Sequence, residues 1–135
     1  MKQSQPEILI IDDNKFIIKL IIEIVRGRGG FFCRSASNYK EIMEEMNKCP
    51  PKLIFLDVNL PDLNGYEFCK KLRSDEKFKD VFIYYLTGTP KAEIANKVLE
   101  TKADGYISKP FNLSDFDDVF DFMNHENINK IQNTN

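Results

Sequence analysis

The 135-residue sequence contains no tryptophan, so metal binding has no indole fluorescence to report it. It has one histidine, His125, which lies in the polar C-terminal tail and is given no role. The three cysteines, Cys33, Cys49 and Cys69, are an odd count without CxxC spacing. That excludes a disulfide scaffold and a structural zinc site, and the thiols are expected to be buried small apolar residues. Excess charge is also small: 19 Lys and Arg against 21 Asp and Glu give a net charge of −2, which speaks against a nucleic-acid or anionic-membrane surface. The densest apolar stretch, Phe16 to Val25, is interrupted by Lys19 and Glu23 and is too short to span a bilayer. The opening residues MKQSQPEILI lack the apolar run of a signal peptide, so the cytoplasm is the expected compartment.

Ile, Leu, Val and Phe together number 41, ample for one packed core and too many for a disordered chain. The length fits a single domain. Short apolar runs recur at Glu7–Ile11, Phe31–Arg34, Lys52–Leu56, Val81–Leu86 and Gly105–Ser108. Four of the five are near-continuous in apolar character, which suits strands covered on both faces. The intervening segments carry helical spacing. In the first, Ile17, Leu20, Ile21 and Ile24 read as core, while Ile18, Ile22 and Val25 form a second stripe, either further core or a docking patch. Asn38 with Glu41 forms a capping-box pattern ahead of Tyr39, Ile42, Met43 and Met46. Thr89 reads as an N-cap with Pro90 at the first helical position, followed by a stripe of Ala92, Ala95, Val98 and Leu99. In the last helix Leu113, Phe116, Val119, Phe120 and Met123 line one face. No internal repeat is visible.

Strand and helix thus alternate five times. This predicts an α/β fold, a doubly wound five-stranded parallel sheet with five helices, whose ligands sit at the carboxyl ends of the strands. Residues 124–135, with five asparagines in twelve positions, read as a polar tail or the start of a linker.

The strand ends therefore carry the chemistry. The first strand runs into Asp12 and Asp13, and the third into Asp57. If those strands are neighbours, three carboxylates converge and repel, with no basic residue adjacent in sequence. A hard divalent cation with oxygen ligands would resolve this. The fourth strand ends at Thr87-Gly88, offering a hydroxyl and open space, and the fifth at Lys109-Pro110, offering an ammonium. Each residue alone has a structural reading: a helix N-cap for Asp12-Asp13, an Asx turn for Asp57, a turn hydroxyl for Thr87, a solvated lysine for Lys109. Together they are the parts needed for phosphoryl transfer.

The residues Asp12-Asp13, the block Asp57-Val58-Asn59-Leu60-Pro61-Asp62-Leu63-Asn64-Gly65, the pair Thr87-Gly88 and the run Tyr106-Ile107-Ser108-Lys109-Pro110-Phe111 carry a resemblance. The sequence resembles the receiver domain of two-component response regulators over residues 6–123. The resemblance implies a flavodoxin-like sheet of order 2-1-3-4-5. It implies that Asp57 takes a phosphoryl group from a sensor histidine kinase or a histidine phosphotransfer protein, catalysing its own phosphorylation and slow hydrolysis. Asp12, Asp13, Asp57 and the backbone carbonyl of Asn59 would hold Mg²⁺. Lys109 would pair with Asp57 and then with the phosphoryl oxygens, Thr87 would hydrogen-bond the phosphoryl group, and Tyr106 would rotate inward as a switch. The Lys109-Pro110 bond is a candidate cis peptide, and Asn59 and Thr89 flank the site where the family tunes dephosphorylation. An output domain C-terminal to residue 123 would be one recipient of the signal, and the domain itself would contact neither nucleic acid nor membrane.

Two departures stand out. Lys102 occupies a helix end where the family commonly has glycine, so that end is expected to be shaped differently. The last helix carries Asp115, Asp117, Asp118 and Asp121 on its outer face, which opposes the family's dimerisation through that surface. Three rival readings remain. A flavodoxin-like cofactor binder is opposed by the carboxylates after strand one. An Mg²⁺-dependent aspartyl-phosphate hydrolase lacks any insertion that could build a cap. A phosphorylation-independent interaction module is opposed by intact Asp57, Thr87 and Lys109.

Overall fold

Near-continuous apolar strands require helices on both sides, and the computed structural model, which describes residues 7–124, has that arrangement. The five strands are β1 (Glu7–Ile11), β2 (Phe32–Ala36), β3 (Leu53–Asp57), β4 (Phe82–Thr87) and β5 (Gly105–Ser108). All pairs are parallel, in the order β2-β1-β3-β4-β5. The helices are α1 (Lys15–Arg26), α2 (Tyr39–Lys48), α3 (Gly65–Arg73), α4 (Lys91–Thr101) and α5 (117–124), the last entered through a 3₁₀ turn at Leu113–Phe116. The expected doubly wound sheet and strand order are thus present. The tail expectation lies, beyond Asn124, outside the described residues, as does His125.

The central strands alternate between two cores. Leu9, Ile11, Ile54 and Leu56 pack beneath α2, α3 and α4 with Ile42, Met46, Phe68 and Ile94. Ile8, Ile10, Leu53 and Phe55 pack beneath α1 and α5 with Ile21, Val25, Phe116 and Phe120. Every residue of β3 is buried, whereas the edge strand β2 exposes Phe32 and Ser35. No helix among the described residues is long and apolar enough to cross a membrane.

Several helix assignments differ from the sequence reading. In α1 the buried residues are Ile18, Ile21, Ile24 and Val25, while Leu20 is exposed and Ile17 only half-buried. Eight apolar residues surround this helix, so their spacing could not set its rotation. The structure turns the Ile18–Val25 side inward and leaves Phe16 (83% exposed) and Leu20 (47%) on the opposite side. In α4 only Ile94 and Thr101 are buried, and Ala92, Ala95 and Leu99 face water. Thr101 is a polar residue that a hydrophobic stripe cannot announce. Its hydroxyl donates to the Lys97 carbonyl at 2.7 Å and receives the Tyr85 hydroxyl. The cap of α4 is Pro90, without a side-chain hydrogen bond, and not Thr89. Leu113 also lies outside its expected face, 64% exposed. Of the cysteines, Cys69 is buried and Cys33 half-buried, its thiol pushed up to about 11 chiefly by burial, but Cys49 is exposed.

Lys102 does adopt the left-handed conformation (φ 65°, ψ 29°) that a glycine would occupy without strain. The helix end therefore keeps the usual shape despite the lysine. Its carbonyl is held by Arg73, which also donates to the Lys79 and Val81 carbonyls and to Asp104. This guanidinium binds the end of α3 to the start of β4 at the pole away from the strand carboxyl ends.

Candidate functional site

Strand register builds the site. Ile11 lies beside Leu56, so the next residues, Asp12 and Asp57, leave adjacent strands at the same height. Asp57 is level with Leu86, and Thr87 with Ser108, which brings Thr87 and Lys109 to the same rim from β4 and β5. Carboxylate oxygens of Asp12, Asp13 and Asp57 all lie within 4.8 Å of one another. Asp12 and Asp57 are buried and Asp13 is exposed.

Local hydrogen bonds fix each side chain. Asp12 Oδ1 accepts the Asn14 amide at 2.8 Å, and Asn14 in turn caps α1 by accepting from Phe16 and Ile17. The N-cap falls on Asn14 and not on Asp12 or Asp13, which leaves both carboxylates for the cleft. Asp57 Oδ1 accepts the Asn59 amide at 2.9 Å. Lys109 Nζ stands 2.8 Å from Asp12 Oδ2 and 3.6 Å from Asp57 Oδ2, so its shorter bond goes to Asp12 and not to Asp57. Thr87 Oγ1 accepts the Thr89 amide at 2.9 Å, and the Thr87 carbonyl accepts the Lys109 amide at 2.7 Å. The Lys109-Pro110 peptide is cis. Tyr106 is half-buried against the core cluster beneath α4, and a Cβ on Gly88 would meet no atom within 4 Å.

Electrostatics follow from that packing. Burial raises the Asp57 carboxyl above its ordinary value, and the charges of Asp12 and Asp13 push the same way. The Asn59 amide and the Lys109 ammonium oppose them. Among the described residues three carboxylates face one ammonium, which leaves the site short of positive charge, and its oxygen-only donors suit a hard divalent cation such as Mg²⁺. Phosphoryl chemistry uses such an arrangement of nucleophile, acidic cluster, hydroxyl and lysine.

The sequence profile of the response regulator receiver domain matches residues 8–121. The chain belongs to this family. It is 33% identical over 104 residues to the phosphate regulon transcriptional regulatory protein PhoB of Escherichia coli, covering 77% of this chain and 45% of that protein. Against the alkaline phosphatase synthesis transcriptional regulatory protein PhoP of Bacillus subtilis it is 36% identical over 107 residues, 78% of this chain and 42% of that protein. The chain thus spans less than half the length of these relatives. Among solved structures, a CheY-like receiver domain protein from Methanospirillum hungatei superposes with a TM-score of 0.79 at 25% identity, covering 94% and 99% of the two chains.

In this receiver the loop after Asp57 is a short hairpin, Asn59–Leu60 pairing antiparallel with Leu63–Asn64 around a Pro61-Asp62 turn. It closes tightly onto α3. A Cβ on Gly65 would fall 2.9 Å from Val58 Cα and 3.3 Å from the Asp57 carbonyl oxygen, so only glycine lets the helix begin there. Asn64 caps α3, its Oδ1 accepting from Tyr66 and Glu67. The sequence reading placed Asp62 within this block without a role, yet its Oδ2 accepts the Tyr39 amide at the start of α2. No signal along the chain shows a contact between residues 23 apart on separate elements.

Proposed function

We propose that this receiver domain is a phosphorylation switch. Asp57 takes a phosphoryl group from a phosphohistidine of a sensor histidine kinase or a histidine phosphotransfer protein. The observation that carries the reading is the gathering of Asp12, Asp13 and Asp57 within 4.8 Å beside the Lys109 ammonium. Asp12, Asp13, Asp57 and the Asn59 backbone carbonyl would hold Mg²⁺, which when bound neutralises charge developing on the phosphoryl oxygens.

The chain's own residues do the rest. The Asn59 amide fixes Oδ1 of Asp57 and so orients the carboxylate, with Oδ2 turned toward Lys109. An Asp57 oxygen forms the new bond to phosphorus as the P–N bond of the phosphohistidine breaks. The imidazole leaves with that electron pair and takes a proton from water. Lys109 meets the transferred negative charge with its ammonium, so catalysis is mostly positioning and charge neutralisation. Thr87 already accepts from Thr89, which leaves its hydroxyl proton free to donate to a phosphoryl oxygen. Tyr106, half-buried beside α4, is the side chain that follows the Thr87 hydroxyl inward.

Docking of the histidine-bearing partner is assigned to the exposed Phe16 and Leu20 of α1, next to Asp12 and Asp13 in the chain. An output domain beyond residue 123 is one recipient of the signal, as the length of the curated relatives suggests. The exposed Asp115, Asp117, Asp118 and Asp121 oppose self-association through α5. Free cysteines and the phosphodonor chemistry fit a cytoplasmic location. The deciding experiment is intact-protein mass after incubation with acetyl phosphate, with and without Mg²⁺, beside Asp57→Asn. One phosphoryl group gained only with Mg²⁺ and only by the wild type is expected. Gain by the Asp57→Asn variant would overturn the assignment.

A further inference from the structure

The hairpin that follows Asp57 packs Leu60 and Leu63 on the core, and it meets the rest of the domain again at its base and its tip. At its base Gly65 lies against the Val58 backbone. At its tip Asp62 Oδ2 accepts the Tyr39 amide at 3.1 Å. Tyr39 is the first residue of α2, where the amides have no partner within the helix. Acceptors around the start of this helix are two local ones and one from the hairpin. Asn38 Oδ1 takes the Glu41 amide at 2.9 Å, Glu41 Oε1 takes the Ser37 amide at 2.7 Å, and Asp62 takes the Tyr39 amide from across the cleft. A carboxylate at a helix N-terminus is also favoured by the aligned peptide dipoles. Leu60 and Leu63 pack on the core while Pro61 and Asp62 between them are exposed, so this bond adds a polar tie for the tip itself.

We infer that Asp62 is a positioning residue: through the Tyr39 amide it holds the hairpin that carries Asn59, and thereby sets the affinity of the acidic site for Mg²⁺. This rests on the Mg²⁺ reading of the cluster made above. Asn59 meets the site twice, as the amide that fixes Asp57 Oδ1 and as the residue whose carbonyl would complete the metal ligands. A hairpin freed at its tip lets both shift, while Asp12 and Asp13, carried by β1, stay in place.

The test is the Mg²⁺ dissociation constant of the whole chain, measured by calorimetry, with the melting temperature as a parallel readout. Asp62→Ala removes the acceptor. Tyr39→Pro removes only the donor, because proline is favoured at the first helical position and Asn38 is already extended. Tyr39→Ala keeps the amide and controls for the ring, and Asp62→Asn keeps an acceptor without the charge. Asp62→Ala and Tyr39→Pro are each expected to weaken Mg²⁺ binding about two- to five-fold, the scale of one exposed charge-assisted hydrogen bond. The double variant should be no weaker than the weaker single, since both remove one bond. Asp62→Asn should recover most of the affinity and Tyr39→Ala all of it. Wild-type affinity in Asp62→Ala, additive losses in the double variant, or an Asp62→Asn as weak as Asp62→Ala would each overturn the inference. A wild type that binds no Mg²⁺ would instead overturn the reading of the acidic site, and the inference with it.

Discussion

Asp57→Asn should make the metal-free domain more stable at neutral pH. The carboxylate lies within 4.8 Å of those of Asp12 and Asp13, and 3.6 Å from the Lys109 ammonium. At an effective dielectric of about 20, each repulsion is worth about 3.5 kcal/mol and the attraction about 4.6 kcal/mol. The surplus of roughly 2 kcal/mol is reduced because Asp13 is exposed and screened, and is raised by the burial of Asp57 itself. Asparagine keeps the acceptor for the Asn59 amide and leaves Lys109 on Asp12, so a gain of about 1–2 kcal/mol is expected, or roughly 3–8 °C in melting temperature. The pH dependence has a definite sign. The folded-state carboxyl is raised above its unfolded value, so the native state binds the proton more tightly. The penalty is absent below the ordinary carboxylate range, grows as pH rises toward the raised value, and is complete above it. Melting by circular dichroism in a chelator, at pH 7 and again near pH 4, measures the gap between the two proteins. It should narrow as pH falls, and millimolar Mg²⁺ should stabilise the wild type more than the variant. A wild type more stable than Asp57→Asn at pH 7 without metal, or a gap independent of pH, would refute the reasoning.

Lys102→Gly should stabilise the domain by about 0.5–1 kcal/mol, since glycine accepts φ 65° without the Cβ penalty and the carbonyl bonded to Arg73 is kept; urea denaturation measures it. Tyr85→Phe should cost about 1 kcal/mol by deleting the buried hydroxyl bond to Thr101, and should speed amide exchange in α4 more than in α3, as hydrogen-exchange mass spectrometry would detect. Lys109→Ala should cost roughly 2–4 kcal/mol, because fully buried Asp12 loses the ammonium bonded to it, and Mg²⁺ should restore part of that loss in a thermal melt.

What the sequence made legible follows from periodicity and from strand ends. β3 reads as a strand because Leu53-Ile54-Phe55-Leu56 is apolar on both faces, and it is buried on both. Asp12, Asp57, Thr87 and Lys109 could be placed together because a parallel sheet aligns its carboxyl ends whatever the helices do. Helix rotation was less legible. The apolar residues of α1 encircle it, and α4 is seated by Thr101, whose burial depends on a hydroxyl from another element. The same holds for Lys109, whose closer partner, Asp12, is 97 residues away, and for Asp62, whose partner lies on α2. Such pairings are set by three-dimensional packing, and local spacing contains no trace of them.

The 97-residue separation between Lys109 and Asp12 has a consequence for how the domain is made. The acids of β1 and β3 are in place once the first half of the sheet has paired, but their counter-charge arrives on the last strand. Until that strand pairs, the acids of β1 and β3 lack the ammonium that Asp12 holds in the folded domain. Pairing of β5 with β4 both completes the sheet and brings Lys109 to the cleft. A chain ending before β5 would lack Ile107, Phe116, Val119, Phe120 and Met123 of the core beneath α1 as well as the site's ammonium, so that core and the electrostatics of the cleft are completed by the same closing segment.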